Sequence, residues 1–426
     1  YDMKADSGAL KENYGTENLK NSDGSAVAFR NVNIKNFYRY TRYDEAESKF
    51  YDSAAVLYED GAFYLYNLTD GTYNNIGTLN GNPKAVQYRL NGDDVLILTS
   101  KEDKMLVLNG TVLTRIEDAP DVTSMCVHYE RLFCTVSGRK NAVWFSDDLD
   151  PTNWNITLDE AGFIEFADEG GALNKVISFS DYVYAFRTYG ITRISAYGDQ
   201  TDFYARNLFV SSGRIFADTV AVCGDKVMFL SGDGIYRFDG LDTVNITKNS
   251  TILFSGTDNS DASAAYYNGK YYLSCKLNLD DGIKNCVVIY DFIKGSYSIV
   301  SDENIKMFVN YGSEERYCLL ALKENGKTIL CVNENGSDKI KRWISPETDF
   351  SAPESNKIIR EIYILTETAC CVTVKSDSAV KTFELLGSVY PQKIKTCIKG
   401  INFSFEFKSS SNTVKIARPV IIFDMY

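Results

Sequence analysis

Short runs in which large apolar and polar side chains alternate cover most of the chain, and Gly-containing corners separate them. The stretch SGDGIYRFDG (231–240) shows the pattern, with Ile235 and Arg237 on one side of a strand and Tyr236 and Phe238 on the other. Residues 226–230 form a second β-rich run, and the Gly-rich corner at 231–234 favours folding the two runs into a hairpin. Calcium loops need acidic groups at alternate positions, which this stretch lacks. We therefore predict a hairpin here.

The same pattern recurs along the chain at a nearly regular interval. The recurring runs are DGAFYLYNLTDG (60–71), DKMLVLNG (103–110), RKNAVWFSDD (139–148), YGITRISAYG (189–198), GDGIYRFDG (232–240), NCVVIYDFIKGSY (285–297) and GKTILCVNENG (326–336). Landmark residues in these runs (Tyr66, Leu108, Phe145, Ser195, Phe238, Tyr290 and Val332) are separated by 42, 37, 50, 43, 52 and 42 residues. A second strand-like run precedes most of them.

A period of about 40–50 residues with four short strands per unit is typical of a β-propeller blade. The sequence therefore predicts an all-β protein with a propeller of seven blades, within a range of six to eight, followed by a C-terminal antiparallel β-sandwich. Unrelated hairpins in a sandwich or solenoid are the alternative. The repeats carry neither the WD40 nor the kelch signature.

Changes in composition divide the chain into four parts. Residues 1–45 are predicted to be an N-terminal arm, and whether it donates a strand that closes the ring is left open. Residues 46–345 are the predicted propeller, 346–356 a linker with two prolines and several Ser and Glu residues, and 357–426 the sandwich. Residues 1–25 are polar and the sequence starts at Tyr1, so we expect any targeting signal to be absent or already removed.

The 29 Tyr and 24 Phe residues favour sheets over helices. The net charge of −12 is concentrated in the predicted propeller, since residues 346–426 hold 10 Lys and Arg against 9 Asp and Glu. An acidic surface argues against specific nucleic-acid binding, which needs clustered Lys and Arg. It is compatible with a channel through which DNA passes without adhering. No run of about 18 apolar residues is present, so we predict no membrane insertion.

Residues capable of catalysis or metal binding are sparse. The ten Cys form no CxxC pair and mostly lie in apolar runs, which favours packing roles and synthesis in a reducing cytosol. The single His, His128, excludes sites with several His ligands, and we interpret it as a residue at a strand edge. No nucleophile elbow, phosphate-binding loop or zinc motif is present, so the sequence predicts no enzyme, cofactor or metal. Carboxylates close in sequence nevertheless leave open a carbohydrate-binding or glycoside-hydrolysing propeller: Asp147, Asp148, Asp150, Asp168 and Glu169.

The most distinctive stretch is RLFCTVSGRKNAVWFSDDLDPTNWN (131–155), followed by GFIEFADEGG (162–171) and ISFSDYVYAFRTYGITRI (177–194). Over residues 120–245 the chain resembles the propellers of phage necks and tails, the podovirus tail-nozzle and packaged-DNA-stabilisation proteins. The resemblance implies a virion protein made in the bacterial cytoplasm. It would form a homo-oligomeric ring below the portal, beside a conduit for DNA, with portal or other neck and tail proteins as partners. It implies no catalytic residue.

Two residues of this stretch are candidates for an interface. Asp150 and Trp154 flank Pro151, whose fixed φ turns the chain. We favour a structural role, with Trp154 packed over the corner, and keep a contact between subunits as the alternative. A bacterial scaffold propeller with a partner of another kind is a third functional hypothesis.

Overall fold

The computed structural model describes residues 3–6, 9–12, 14–157, 160–167, 170–312, 317–336, 339–411, 413–417 and 419–426. The chain begins with three short strands: β1 (Met3–Asp6), β2 (Ala9–Glu12) and β3 (Gly15–Asn18). β1 and β2 form a hairpin, whereas β3 pairs with a strand more than 300 residues away in the sequence.

Seven four-stranded antiparallel sheets form the propeller in the described part of the chain. Blade 1 contains β4 (Ile34–Asp44), β5 (Lys49–Tyr58), β6 (Ala62–Asn67) and β7 (Tyr73–Thr78). Blade 2 contains β8 (Lys84–Leu90), β9 (Asp93–Ser100), β10 (Lys104–Asn109) and β11 (Val112–Ile116). Blade 3 contains β12 (Val122–His128), β13 (Arg131–Val136), β14 (Ala142–Phe145) and β15 (Gly162–Glu165).

The remaining blades have the same strand order. Blade 4 contains β16 (Leu173–Phe179), β17 (Tyr182–Arg187), β18 (Gly190–Ser195) and β19 (Tyr204–Val210). Blade 5 contains β20 (Ala221–Cys223), β21 (Lys226–Ser231), β22 (Gly234–Phe238) and β23 (Thr243–Asn245). Blade 6 contains β24 (Ser263–Tyr267), β25 (Lys270–Leu279), β26 (Gly282–Asp291) and β27 (Ser296–Ser301). Blade 7 contains β28 (Ile305–Gly312), β29 (Tyr317–Lys323) and β30 (Leu330–Asn333), with β3 as its fourth strand. Three single 3-10 turns lie between strands: Gln200–Asp202, Ala217–Thr219 and Thr251–Phe254.

Buried hydrophobic clusters connect the sheets into a ring. Each pair of consecutive blades shares one cluster. A further cluster joins the last blade to the first, with Leu320 and Leu322 of blade 7 packed with Val56 and Tyr58 of blade 1. Each blade therefore buries both faces against its neighbours, as a blade that is unstable alone requires. The prediction of a seven-bladed propeller is confirmed.

The hairpin and repeat predictions are confirmed in detail. Ser231 pairs with Gly234 across a two-residue turn in blade 5. Each of the seven landmark residues lies in the third strand of a different blade. The two longest intervals have simple causes: β14 ends at Phe145 and β15 begins only at Gly162, and β23 ends at Asn245 and β24 begins only at Ser263.

The arm closes the ring. β3 pairs with β30, from Gly15 opposite Asn333 to Asn18 opposite Leu330. The preceding Tyr14 is buried in the cluster between blades 6 and 7. A side chain at Gly15 would clash with the carbonyl oxygen of Gly336, so the close approach of the arm requires glycine there. The first residues of the chain thus complete its last blade.

Both predicted ends of the propeller need correction. The arm was predicted to extend to residue 45, but the first inner strand starts at Ile34, because the aromatic cluster 37–43 lies within β4. The propeller was predicted to extend to residue 345, but β31 (Lys341–Ile344) pairs with a strand of the sandwich. The Trp343 ring packs against Phe407 there, with centroids 5.7 Å apart.

The C-terminal unit is a sandwich of two antiparallel sheets. Its other strands are β32 (Lys357–Ile364), β33 (Cys370–Ser376), β34 (Val380–Leu385), β35 (Gln392–Gly400), β36 (Phe403–Ser409), β37 (Lys415–Ala417) and β38 (Val420–Met425). One sheet has the order β31-β36-β33-β34 and the other β35-β32-β38. Their inner faces share one hydrophobic core, which includes Ile359, Ile362, Val372 and Phe405. β37 pairs with β2, so the arm also binds the sandwich.

The predicted linker, residues 346–356, is packed against the sandwich. The Thr348 amide donates to the Phe403 carbonyl at 2.8 Å, and the Phe403 amide donates back at 2.9 Å. The Phe350 ring stacks on Phe423 with centroids 4.5 Å apart. The Phe350 ring also lies 5.8 Å from the Phe403 ring, centroid to centroid. Prolines and polar residues suggested a linker, but these two aromatic contacts and the backbone bridge make the segment part of the sandwich.

Lys357 fixes this segment, and its loss should destabilise the sandwich. The side chain is fully buried, and its Nζ donates to the carbonyl oxygens of Ala352 (2.5 Å), Ser355 (2.9 Å) and Ile401 (3.2 Å). Lys357→Met keeps the aliphatic length but leaves three carbonyls without this donor, so we expect a loss of about 2–4 kcal/mol in the free energy of unfolding. Chemical denaturation measures it, with the exposed Lys408→Met as the matched control. Equal stability of the two variants would contradict the role given to Lys357.

Within the described residues, no helix is long and apolar enough to cross a membrane.

Candidate functional site

Trp154, predicted as an interface candidate, lies in the interior of the propeller. It is 8% exposed and belongs to the cluster between blades 2 and 3, where it packs with residues such as Val107 and Leu132. Asp150 accepts hydrogen bonds from the amide and the hydroxyl of Thr152, at 2.9 and 2.6 Å. The packing of Trp154 and the hydrogen bonds of Asp150 both favour a structural role for these residues. Participation of either residue in an interface stays a prediction, and the burial of Trp154 gives a partner little access to it.

The clustered carboxylates of the same loop bind backbone groups. Asp147 accepts from the amide of Asp148 at 2.9 Å, from the amide of Glu160 at 3.2 Å and from the Asn153 side chain at 2.9 Å. Arg131 lies beside Asp148 and Glu160. These contacts bend and fasten the loop, as turn carboxylates commonly do. Asp168 and Glu169 lie outside the described residues.

His128 is buried at the end of the inner strand of blade 3. Its Nδ1 lies 2.8 Å from the Ser178 hydroxyl of blade 4, and its ring packs against Phe133. Burial lowers the pKa of His128, with Asp181 partly opposing the shift. The residue thus bridges two blades. In the described part of the chain, no three His, Cys, Asp or Glu side chains are grouped so that they could hold a metal ion.

One face of the sandwich combines exposed apolar side chains with a row of lysines. We define the sandwich outer face as the solvent side of the sheet β35-β32-β38. β35 places a row of three lysines on it, Lys393, Lys395 and Lys399, because this strand alternates strictly between exposed and buried positions. The strand KIKTCIK (393–399) carries this alternation in its sequence, so the row was predictable once the sandwich was placed.

Apolar side chains lie beside the lysine row. Val420 and Ile422 of β38 are 60% and 45% exposed. The register places Val420 opposite Tyr363 and Tyr363 opposite Lys393, so basic and apolar residues share one face. Glu361 binds Lys393 at 2.7 Å and raises the pKa of that lysine.

β38 is an edge strand. It pairs with β32 on one side, and no described strand pairs with its other side. Arg360 and Asp424 form an ion pair near its end, at 2.5 Å. A free edge with exposed apolar side chains can accept a further strand or a flat partner surface.

The loop 386–391 extends this surface at one end of the sandwich. Leu386, Val389 and Tyr390 are 79%, 80% and 75% exposed. The loop leads directly into β35, whose first residue, Gln392, lies opposite Ile364. Exposed apolar side chains this close together are uncommon on a monomer that has no partner.

Charge is divided between the two units more sharply than the sequence suggested. With the boundary at Lys341, the sandwich holds 12 Lys and Arg against 9 Asp and Glu, a net charge of +3. The rest of the chain holds 33 Lys and Arg against 48 Asp and Glu, a net charge of −15. The two units therefore have opposite charge.

No family model and no curated protein matches the sequence. Among solved structures, the chain is similar to BBS1N in complex with ARL6DN, at 11% identity and a TM-score of 0.47 over 76% of this chain and 95% of that chain. It is also similar to BamB from Moraxella catarrhalis, at 11% identity and a TM-score of 0.46 over 78% and 92% of the two chains. The resemblance to phage neck and tail propellers stays a prediction.

Proposed function

We propose that this protein is a non-enzymatic structural component of a tailed-phage or prophage neck or tail. In this proposal, copies assemble into a symmetric ring beside the path of the DNA. The sandwich outer face and the loop 386–391 of one copy bind the acidic propeller of the next copy. This is a head-to-tail contact, which closes into a ring when the rotation between copies permits.

The opposite charge of the two units is the observation that carries the assembly part of the proposal. A basic row beside exposed apolar side chains complements an acidic surface, and such complementarity directs association and fixes its orientation. The apolar residues supply the area that a stable contact buries. The phage part rests on the sequence resemblance over residues 120–245.

Ile422→Asp should weaken the assembly. It places a carboxylate in the apolar part of the sandwich outer face, facing an acidic partner surface, and we expect self-association to weaken about tenfold or more. Analytical ultracentrifugation across a concentration series measures this. Val380→Asp is the matched control, because Val380 is 62% exposed on β34, in the other sheet of the sandwich. Wild-type association should also decrease as salt is raised.

Two results would count against the proposal. A wild-type chain that stays monomeric at every concentration and does not bind the portal and tail proteins encoded beside its gene would overturn it. Equal effects of Ile422→Asp and Val380→Asp would remove the sandwich outer face as the contact.

A further inference from the structure

The inner strands of the propeller line an open cavity on the axis of the ring. Its volume is about 570 Å³, and its lining comes from six of the seven blades. The strands β4, β8, β16, β24 and β28 contribute, together with the turn Ala217–Thr219 before blade 5. This volume lies in the range of small-molecule sites in proteins.

The charge of this lining is opposite to that of the rest of the propeller. Five cations line the cavity, namely Lys35, Arg39, Lys84, Lys175 and Lys306. Asp218 is the one acidic residue among the described lining residues. The chain outside the sandwich has a net charge of −15, whereas the lining has four more positive than negative residues. The cavity is therefore opposite in charge to its surroundings, and repulsion among its cations should disfavour this clustering.

The carboxylates that pair with the four lysines are those of Asp218 and Glu59. Lys84 of blade 2 donates to both carboxylate oxygens of Asp218, at 2.9 and 3.0 Å. Lys35 donates to the carbonyl oxygen of Gly81 at 2.8 Å, and Lys306 lies 3.4 Å from Glu59. The side-chain ammonium group of Lys175 donates no hydrogen bond to any of the described residues.

The electrostatics of Lys175 and Asp218 agree with this geometry. Burial lowers the pKa of Lys175, the neighbouring Lys84 lowers it further, and Asp218 offsets only part of the effect. Burial opposes ionisation of Asp218, but Lys84 and Lys175 outweigh it and hold the pKa of this carboxyl below its usual range. The Asp218 carboxylate thus interacts electrostatically with the ammonium groups of both Lys84 and Lys175.

β-bulges place three of the lysines. The register of the inner strand shifts between Ile34 and Asn36 in β4, and between Ile305 and Met307 in β28. The unpaired residues are Lys35 and Lys306. A third shift lies immediately before Lys175 in β16. The inner strand β12 has the same irregularity, between Val122 and Ser124, but does not line the cavity. Bulges redirect side chains and commonly occur beside functional sites, so bulges at or directly before three of the lysines favour a built arrangement.

We propose that this axial cavity binds a small multivalent oxyanion of the phosphate class. Lys84 and Lys175 would contact its charged oxygens, with Lys35 and Lys306 at its margin, and Asp218 occupies part of that place when the anion is absent. This inference does not depend on the function proposed above. Compact lysine ammonium groups suit phosphate as point charges.

Titration calorimetry of the full chain with pyrophosphate tests the proposal. We expect saturable binding with one site per chain and a rise in the unfolding temperature. Lys175→Met should weaken binding about tenfold or more, because it removes a charge-assisted hydrogen bond. Asp218→Asn should tighten binding, because it removes the competing carboxylate. Lys408→Met removes one exposed charge from the sandwich. It should change neither the affinity for pyrophosphate nor the rise in unfolding temperature.

The outcomes separate a site from general charge attraction. No saturable binding, equal weakening by Lys175→Met and Lys408→Met, or weaker binding by Asp218→Asn would each overturn the proposal. Unfolding temperatures measured without ligand establish that each variant is folded, and the gain expected for Asp218→Asn is a result that misfolding does not produce. A 5′-phosphorylated oligonucleotide distinguishes the source of the phosphate: tighter binding than pyrophosphate would overturn the assignment to a small free anion.

Discussion

A chain that starts at residue 19 is expected to lose the cooperative unfolding of its propeller, whereas a chain that starts at residue 14 should retain it. Both truncations remove the β1–β2 hairpin, but only the longer one removes β3 and Tyr14. Without them blade 7 has an unpaired edge and the cluster between blades 6 and 7 is open to water. Thermal unfolding of the two chains, followed by near-ultraviolet circular dichroism, isolates the contribution of the closing strand.

Tyr14 alone should account for much of this effect. Its ring is 3% exposed, and Tyr14→Ala should reduce the free energy of unfolding by about 3–5 kcal/mol, as large aromatic truncations in cores do. Its hydroxyl is buried and has no hydrogen-bond partner among the described residues. Burial correspondingly raises the pKa of this hydroxyl. Tyr14→Phe should therefore be neutral or slightly stabilising.

Tyr204→Ala is the control for these variants, because Tyr204 is 54% exposed on the outermost strand of blade 4. If Tyr14→Ala were no less stable than Tyr204→Ala, or if both truncated chains unfolded alike, the arm would be a passive extension rather than the closure of the ring.

The pattern of the sequence predicts the central strands of the blades and misses the outer ones, for a physical reason. The second and third strands are buried on both faces by neighbouring blades, so they read as apolar runs. Fourth strands such as β7 (YNNIGT) and β3 (GTEN) are mostly exposed. They are held by backbone pairing, which leaves little trace in the side chains.

The role of the arm could not be predicted because nothing local encodes it. Gly15 meets Asn333 only after the intervening blades have formed a ring. The same holds for the axial cavity: Lys35, Lys84 and Lys175 lie in different repeats, and only closure of the ring brings them together. The lysine row of β35, in contrast, belongs to one strand and is visible in its alternation.

The second large effect is expected from Arg187, at the end of β17. Its guanidinium is fully buried and donates to the carbonyl oxygens of Gly171 (2.7 Å) and Ala167 (3.1 Å), while it lies 4.9 Å from the centroid of the Phe166 ring. These contacts hold the connection from blade 3 to blade 4 in place.

Arg187→Met would leave those carbonyls without this donor, so we expect a loss of about 3–5 kcal/mol in the free energy of unfolding. Arg187→Lys should recover only part of it, because a single ammonium group cannot reproduce the planar fork that reaches both carbonyls. Chemical denaturation gives the magnitude, and faster amide exchange at residues 170–172 would locate the damage. Arg206→Met is the control, because Arg206 lies at an exposed position of β19, and it should change the free energy of unfolding little. An equally small change for Arg187→Met would mean that other contacts hold the connection between the blades.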